Sequence, residues 1–369
     1  MIFNNYPVAA MPSRIAIQAL RTSLALFLAS SPLALSAQTT PETAAALCVE
    51  LAGQPDAGVP VSPEAQEAAQ AALALATPHC EEALSGGSED PVVLFYIGVI
   101  RQAEGEHDAA VAAFEASAAG GLAAANTKLG DYHLFGIGPL RRDAEEAADY
   151  FEAAAEAGDA PAQMTLGLMH RLGAGVPRDL GRMVELMRVA ADGGYHFAQY
   201  RIGQTFLTGE GIPGGEDASL GIPDRELAAR YLSMAAEQGN IEAVLELARY
   251  YGELDGAGEG DPGQQFIWTE RAAEAGLPDA VAALGFLYER GRGVEASAEQ
   301  AATLYVQALE TGDVDFDDLR GRVGGYTPQW DRETAIAFQL ILQERGLYLG
   351  AIDGIIGPMS RAAAAALDD

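Results

Sequence analysis

The side chains in this sequence that could carry chemistry are few, and their spacing does not assemble them. The five histidines, His79, His107, His133, His170 and His196, include no pair three or four residues apart, the spacing that sets two imidazoles on one helical face toward a metal. Cys48 and Cys80, with His79 beside the second, give too few ligands for a local zinc site. Asp313, Asp315, Asp317 and Asp318 alternate in a way that suggests calcium. The run nevertheless lacks the glycine at the sixth position and the acidic twelfth residue of a calcium loop. No G-x-S-x-G elbow and no phosphate-binding loop is present. An enzyme needs convergent nucleophiles, bases or ligands, so the sequence is read as non-enzymatic, with no catalytic residue, no metal and no cofactor.

The elements that would position any site come next. The chain has 369 residues, 49% of them hydrophobic and 20% charged, enough to bury a core. Basic residues number 22 against 53 acidic, a net charge of −31. A field of that sign repels phosphate backbones, which excludes nucleic acid as a partner.

One pattern recurs. A first-helix landmark appears as Leu129-Gly130, Leu166-Gly167, Ile202-Gly203, Leu247-Ala248 and Leu284-Gly285. A second-helix ending appears as Ala154-Ala155, Ala190-Ala191, Ala235-Ala236 and Ala272-Ala273, each four residues before a glycine, and then as Ala308 before Gly312. Both landmarks keep a period of 36 or 37 residues except for one interval of 45. The nine extra residues lie around Gly214 to Ile222, where an inserted loop is expected. Apolar residues three and four apart place one buried stripe on each helix. A divergent first unit, with helices at 92–102 and 107–118, extends the array. The expected fold is all-α: six helical hairpins over residues 92–312.

The run Ala280-x-x-x-Leu284-Gly285-x-x-Tyr288-x-x-Gly291-x-Gly293-Val294, followed by Ala301 and Tyr305, resembles the Sel-one-like repeat family, relatives of tetratricopeptide repeats. Residues 162–194 match through Leu166-Gly167, Gly173-x-Gly175-Val176 and Ala190-Ala191. The resemblance implies a right-handed α-solenoid acting as a scaffold, with first helices lining the concave face. Counting one residue after and three before each landmark glycine then selects Thr127, Asp131, Met164, Leu168, Tyr200, Gln204, Leu245, Arg249, Ala282 and Phe286, with Arg171 and Glu289 one turn on. The expected occupant of this groove is an unidentified protein or peptide. The fifth unit departs from the pattern, with Ala248 for glycine and the loose turn 255–261.

Residues 1–37 contain no acid, carry Arg14 and Arg21, and run apolar from Leu24 to Leu35 before Ser36-Ala37. That is the layout of a secretory signal peptide cleaved after Ala37, with Met1 and Met11 as alternative starts. Export to a periplasm follows as the expected localisation. The leader is shorter than the ~20 apolar residues a membrane helix requires, and no other segment is long enough, so no stable membrane insertion is expected after cleavage. Two cysteines in an exported chain most simply form one disulfide, Cys48–Cys80, within an N-terminal helical segment 38–91 whose alanine-rich helix is expected over 64–76.

Residues 313–330 read as a solvated acidic linker. The remainder, 331–369, resembles a small three-helix peptidoglycan-binding-like domain through Gln339, Leu342, Gly346-Leu347-Tyr348, Ile352-Asp353-Gly354, Gly357-Pro358 and Ser360-Arg361-Ala362. Tyr348, Asp353, Gly354, Gly357 and Arg361 are the candidate residues that this likeness implies, with peptidoglycan as a second partner and attachment at the cell wall. The alternatives are a free periplasmic adaptor whose C-terminal domain only caps the array and, against the absence of convergent catalytic groups, a peptidoglycan-cleaving enzyme.

Overall fold

A computed structural model describes residues 40–53, 63–212, 221, 223–253, 260–321 and 326–367. The chain divides into two compact units, 1–39 and 40–369, and every described residue lies in the second. The expected leader, most of the inserted loop 214–222 and most of the loose turn 255–261 fall outside the described residues. Sixteen helices and no strand occur among the described residues, the all-α solenoid expected.

Six hairpins form the body: α3 (Pro91–Glu104) with α4 (His107–Ala119), α5 (Ala123–Phe135) with α6 (Ala144–Glu156), α7 (Ala160–Leu172) with α8 (Leu180–Asp192), α9 (His196–Thr208) with α10 (Arg225–Glu237), α11 (Ile241–Glu253) with α12 (Pro262–Glu274), and α13 (Pro278–Arg290) with α14 (Ala298–Leu309). Each second helix packs against its own first helix and against the first helix of the next hairpin, or, for α14, against the C-terminal segment. The apolar core is accordingly a chain of clusters along the stack, as expected when each unit buries its face only against its neighbours.

The recurring residues have specific duties. Second helices start at Asp143, Asp179, Asp224, Asp261 and Ser297, whose side chains accept first-turn backbone N–H groups; such N-caps satisfy donors that the helix leaves open. The landmark glycine lets the paired helix come close. A methyl built on Gly285 would stand 2.9 Å from the Tyr305 ring, and Gly130, Gly167 and Gly203 meet Phe151, Met187 and Leu232 in the same way. In the fifth hairpin the equivalent pair is Ala248 and Thr269: a methyl added on one helix coincides with a smaller side chain on the other, and Thr269 is buried. Gly293 sits at φ 72°, and its Cβ would fall 1.9 Å from the Pro262 carbonyl oxygen at the start of the preceding second helix. Only glycine combines that left-handed backbone with that approach.

Ahead of the array, α1 (Pro41–Ala52) and α2 (Pro63–Ser85) form a further hairpin joined by the Cys48–Cys80 disulfide. The α2 helix runs nine residues past the expected end at Ala76, straight through Pro78. A helix-interior proline costs roughly 3 kcal/mol. Burial of Ala76, Cys80 and Ala83 on one stripe and the covalent tie to α1 offset that cost.

The C-terminal segment differs from expectation. Two helices occur among its described residues, α15 (Arg332–Glu344) and α16 (Pro358–Ala364), not the three that the family resemblance implied. Residues 313–321 are no solvated linker. Their aspartates face water, but Val314, Leu319 and Arg320 are buried, and Phe316 and Trp330 join the cluster that unites α14 with α15.

Candidate protein-binding groove

The groove residues expected from the repeat register separate into three groups. Leu168, Arg171 and Gln204 converge, with Arg201, Leu207, Thr208, Glu210 and Glu246, around a cavity of about 260 Å³ floored by Met183 and Met187. Its walls come from α7, α9 and α11, three successive first helices. The polar side chains hold one another in place. Arg171 pairs with Glu210 at 2.8 Å, and Arg249 with Glu246 at 3.0 Å. Gln204 Nε2 donates to Tyr200 Oη at 2.8 Å, while Arg201 Nη1 donates to Gln204 Oε1 at 3.2 Å and lies 5.6 Å from the Tyr200 ring centroid. Tyr200 and Arg249 thus stand at the cavity's edge. Burial raises the Tyr200 phenol above its ordinary range, so it stays a neutral donor and acceptor.

A second group lies nearer the N-terminus. Thr127 Oγ1 donates to Asp159 Oδ2 at 2.7 Å, and the same oxygen caps α7 by accepting from Ala162 N. Asp131 is partly buried, and that burial pushes its carboxyl up to about 6, with Lys128 opposing the shift and Asp159 adding to it.

The third group is corrected by the structure. Met164 is buried in the core beside Met183 and Met187, because three residues before the glycine faces the paired helix there. Ala282 is buried and Phe286 half-buried in the cluster formed with the C-terminal segment. Glu289 opens to no groove: its side chain has no exposure, and its carboxylate accepts from Tyr305 Oη at 2.7 Å and from Asp331 N at 2.9 Å. Leu245 packs partly buried against the fifth-hairpin core. The register rule missed Arg201 and Glu246, both two residues before a landmark position, and Glu210, which sits in a Gly-Glu-Gly turn. Adding the position two residues before the landmark would have found the first two.

Of the candidate wall-binding residues Tyr348 is buried, while Asp353 and Arg361 are exposed but engaged within the chain. Gln339, with no exposure, sits at their centre. Its Nε2 lies 3.2 Å from Tyr348 Oη and 3.1 Å from Asp353 Oδ1, and its Oε1 accepts from Asp353 N and Gly354 N. The Ile355 N–H, then Gln339, hold the Asp353 carboxyl below its ordinary range. Gly357 precedes α16 as its N-cap. Arg361 pairs with Asp317, its guanidinium 4.9 Å from the Phe316 ring centroid. Three of the histidines have local partners: His107 with Tyr132 at 3.0 Å, His170 with the Pro177 carbonyl at 3.1 Å, and His133 stacked on Tyr150. Among the described residues no three His, Cys, Asp or Glu side chains form a metal-ligand group, and no helix is long and apolar enough to cross a membrane. A larger, open depression of about 580 Å³ on α10 is lined by exposed Arg225, Glu226 and Arg230 together with Tyr250 and Tyr251. It draws on one hairpin joint, not on three successive first helices.

Stacked two-helix units with first-helix side chains converging on a groove define the class: an α-solenoid of the protein-interaction type. The chain belongs to the Sel1 repeat family, whose model matches residues 123–159, 160–195, 196–240, 241–277 and 278–313. Proteins built of these repeats act as protein-interaction scaffolds. Among curated proteins the chain is similar to Chitin synthase regulator SKT5 of Saccharomyces cerevisiae, 35% identical over 146 residues, covering 38% of this chain and 20% of that protein. It is also similar to the protein of that name in Malassezia restricta, 29% identical over 145 residues, covering 39% and 9%. The chain thus spans a fifth or less of the length of these relatives. A solved structure, a Sel1 repeat protein from Oxalobacter formigenes, superposes with a TM-score of 0.50 at 24% identity, covering 59% of this chain and 85% of that one; this likeness concerns the fold. The fungal relatives overturn the expected periplasmic localisation, since they are eukaryotic regulators and not periplasmic proteins.

Proposed function

We propose that this chain is a non-catalytic adaptor that holds an extended segment of a partner protein along the first helices of its second to fifth hairpins, with the C-terminal segment closing the far end of the stack. The observation that carries the reading is the cavity of about 260 Å³ where α7, α9 and α11 bring Leu168, Arg171, Gln204 and Glu246 together over Met183 and Met187. An apolar floor with fixed polar walls suits an extended peptide, whose main chain needs partners and whose side chains need pockets. Regulator-named relatives support a partner that is itself an enzyme. Peptidoglycan is left out of this reading, because Tyr348, Asp353 and Gly354 are engaged with Gln339, and Arg361 with Asp317.

Panning a peptide-display library on the full chain tests the proposal. Peptides enriched on the wild type should lose at least about 1 kcal/mol of affinity when Leu168→Ala, Gln204→Ala and Arg249→Ala are combined. Equal binding to a folded triple variant would place the partner elsewhere.

A further inference from the structure

Phe286 and Glu289 stand one and four residues after Gly285, the register of Leu168 and Arg171 after Gly167. In the third hairpin those positions open on the cavity. In the sixth, Glu289 is met by the chain's own non-helical residues 328–331, and Phe286 is half-buried in the cluster that Trp330 joins. Asp331 N donates to Glu289 Oε1 at 2.9 Å, Arg290 Nη2 donates to the Gln329 carbonyl at 2.5 Å, and Arg320 Nη2 donates to the Pro328 carbonyl. The Trp330 ring lies among Tyr305, Phe316 and Phe338, with centroids 5.1, 5.7 and 5.0 Å away, and the Arg320 guanidinium is 4.7 Å from its centroid. Consecutive main-chain groups met by fixed side chains, around one aromatic anchor, is how a folded surface holds an extended peptide. The resident segment does not saturate this site: Arg320 is buried, yet its Nη1 has no hydrogen-bond partner. A buried charged donor left unmet favours any occupant that brings one more acceptor.

We propose that residues 328–331 are a resident peptide ligand of the sixth hairpin, and that a partner segment of the same chemistry, an extended run carrying tryptophan followed by aspartate, exchanges with them. The sixth hairpin is then a second docking site, independent of the open groove and masked by its own chain. A tethered occupant acts at an effective concentration in the millimolar range, so a peptide added in trans gains access when the tether's anchor is weakened.

A fluorescent synthetic peptide of residues 326–334 titrated into the full chain provides the test. Full-length Trp330→Ala should bind it at least about tenfold more tightly than the wild type, and the same peptide with alanine at its tryptophan should not bind. Trp330→Phe keeps a ring in the aromatic cluster and should give a smaller gain of the same sign; it decides the matter if circular dichroism shows that the alanine variant does not fold. Leu168→Ala and Gln204→Ala should leave this binding unchanged, which separates it from the open groove. No gain in either folded variant, equal binding of the alanine peptide, or weaker binding in the groove variants would each overturn the proposal.

Discussion

Ala248 and Thr269 show at single-residue scale how the repeat holds together. Four hairpins of the family's repeats set a glycine against Phe151, Met187, Leu232 or Tyr305, whereas the fifth carries the larger Ala248 and the smaller Thr269 at the equivalent register positions. Thr269→Phe alone should destabilise by about 2 kcal/mol through overpacking. Adding Ala248→Gly should recover at least about 1 kcal/mol of that loss, a coupling that a double-mutant cycle in urea would measure. Gly293→Ala should cost about 2–3 kcal/mol, since the residue is left-handed and its Cβ meets the Pro262 carbonyl. Asp131 adds a pH dependence. Its folded value of about 6 lies above the ordinary 3.8, so the folded state keeps the proton longer than the unfolded one. The penalty for ionising it is absent below about pH 4, grows between pH 4 and 6 and is complete above. Asp131→Asn should therefore raise stability at pH 7 by about 1–2 kcal/mol and change nothing at pH 3.5, as read from thermal melts at the two values.

At the scale of elements, the two ends were the hardest to read from sequence. Pro78 looks like a stop, and only the buried stripe Ala76, Cys80, Ala83 and the tie to α1 explain why α2 continues. Cys48→Ser should cost about 3 kcal/mol in the chain-entropy estimate. Because units interact only with neighbours, hydrogen exchange should quicken in α1 to α3 and stay unchanged from α7 onward. The run Asp313-Val-Asp-Phe-Asp-Asp-Leu-Arg reads as solvated because acids dominate it, yet its alternation hides Val314, Phe316 and Leu319 on the inner side. Phe338→Ala, which empties a fully buried position in that interface, should cost about 3–5 kcal/mol and loosen α14 together with α15. The hairpins themselves were legible, because glycines, capping aspartates and alanine pairs each perform a local duty that repeats in register. Glu289 was not, because its partners Tyr305, Arg290 and Asp331 come from one second helix, a neighbouring residue and a distant segment.

Across the whole molecule, the stack makes a continuous first-helix surface whose uses differ along its length. Its middle hairpins leave the cavity over Met183 and Met187 open, while its last hairpin is met by residues 328–331. Sequence register placed Leu168, Arg171 and Gln204 on that surface, but could not tell an open position from one the chain itself covers. The central claim, that the open first-helix face receives a partner segment, is tested most directly by hydrogen–deuterium exchange of the full chain with and without a saturating peptide selected on it. The account predicts added protection in Ala160–Leu172, His196–Thr208 and Ile241–Glu253, with little change in the second helices between them. Protection confined to Leu180–Asp192, Arg225–Glu237 and Pro262–Glu274 would contradict it.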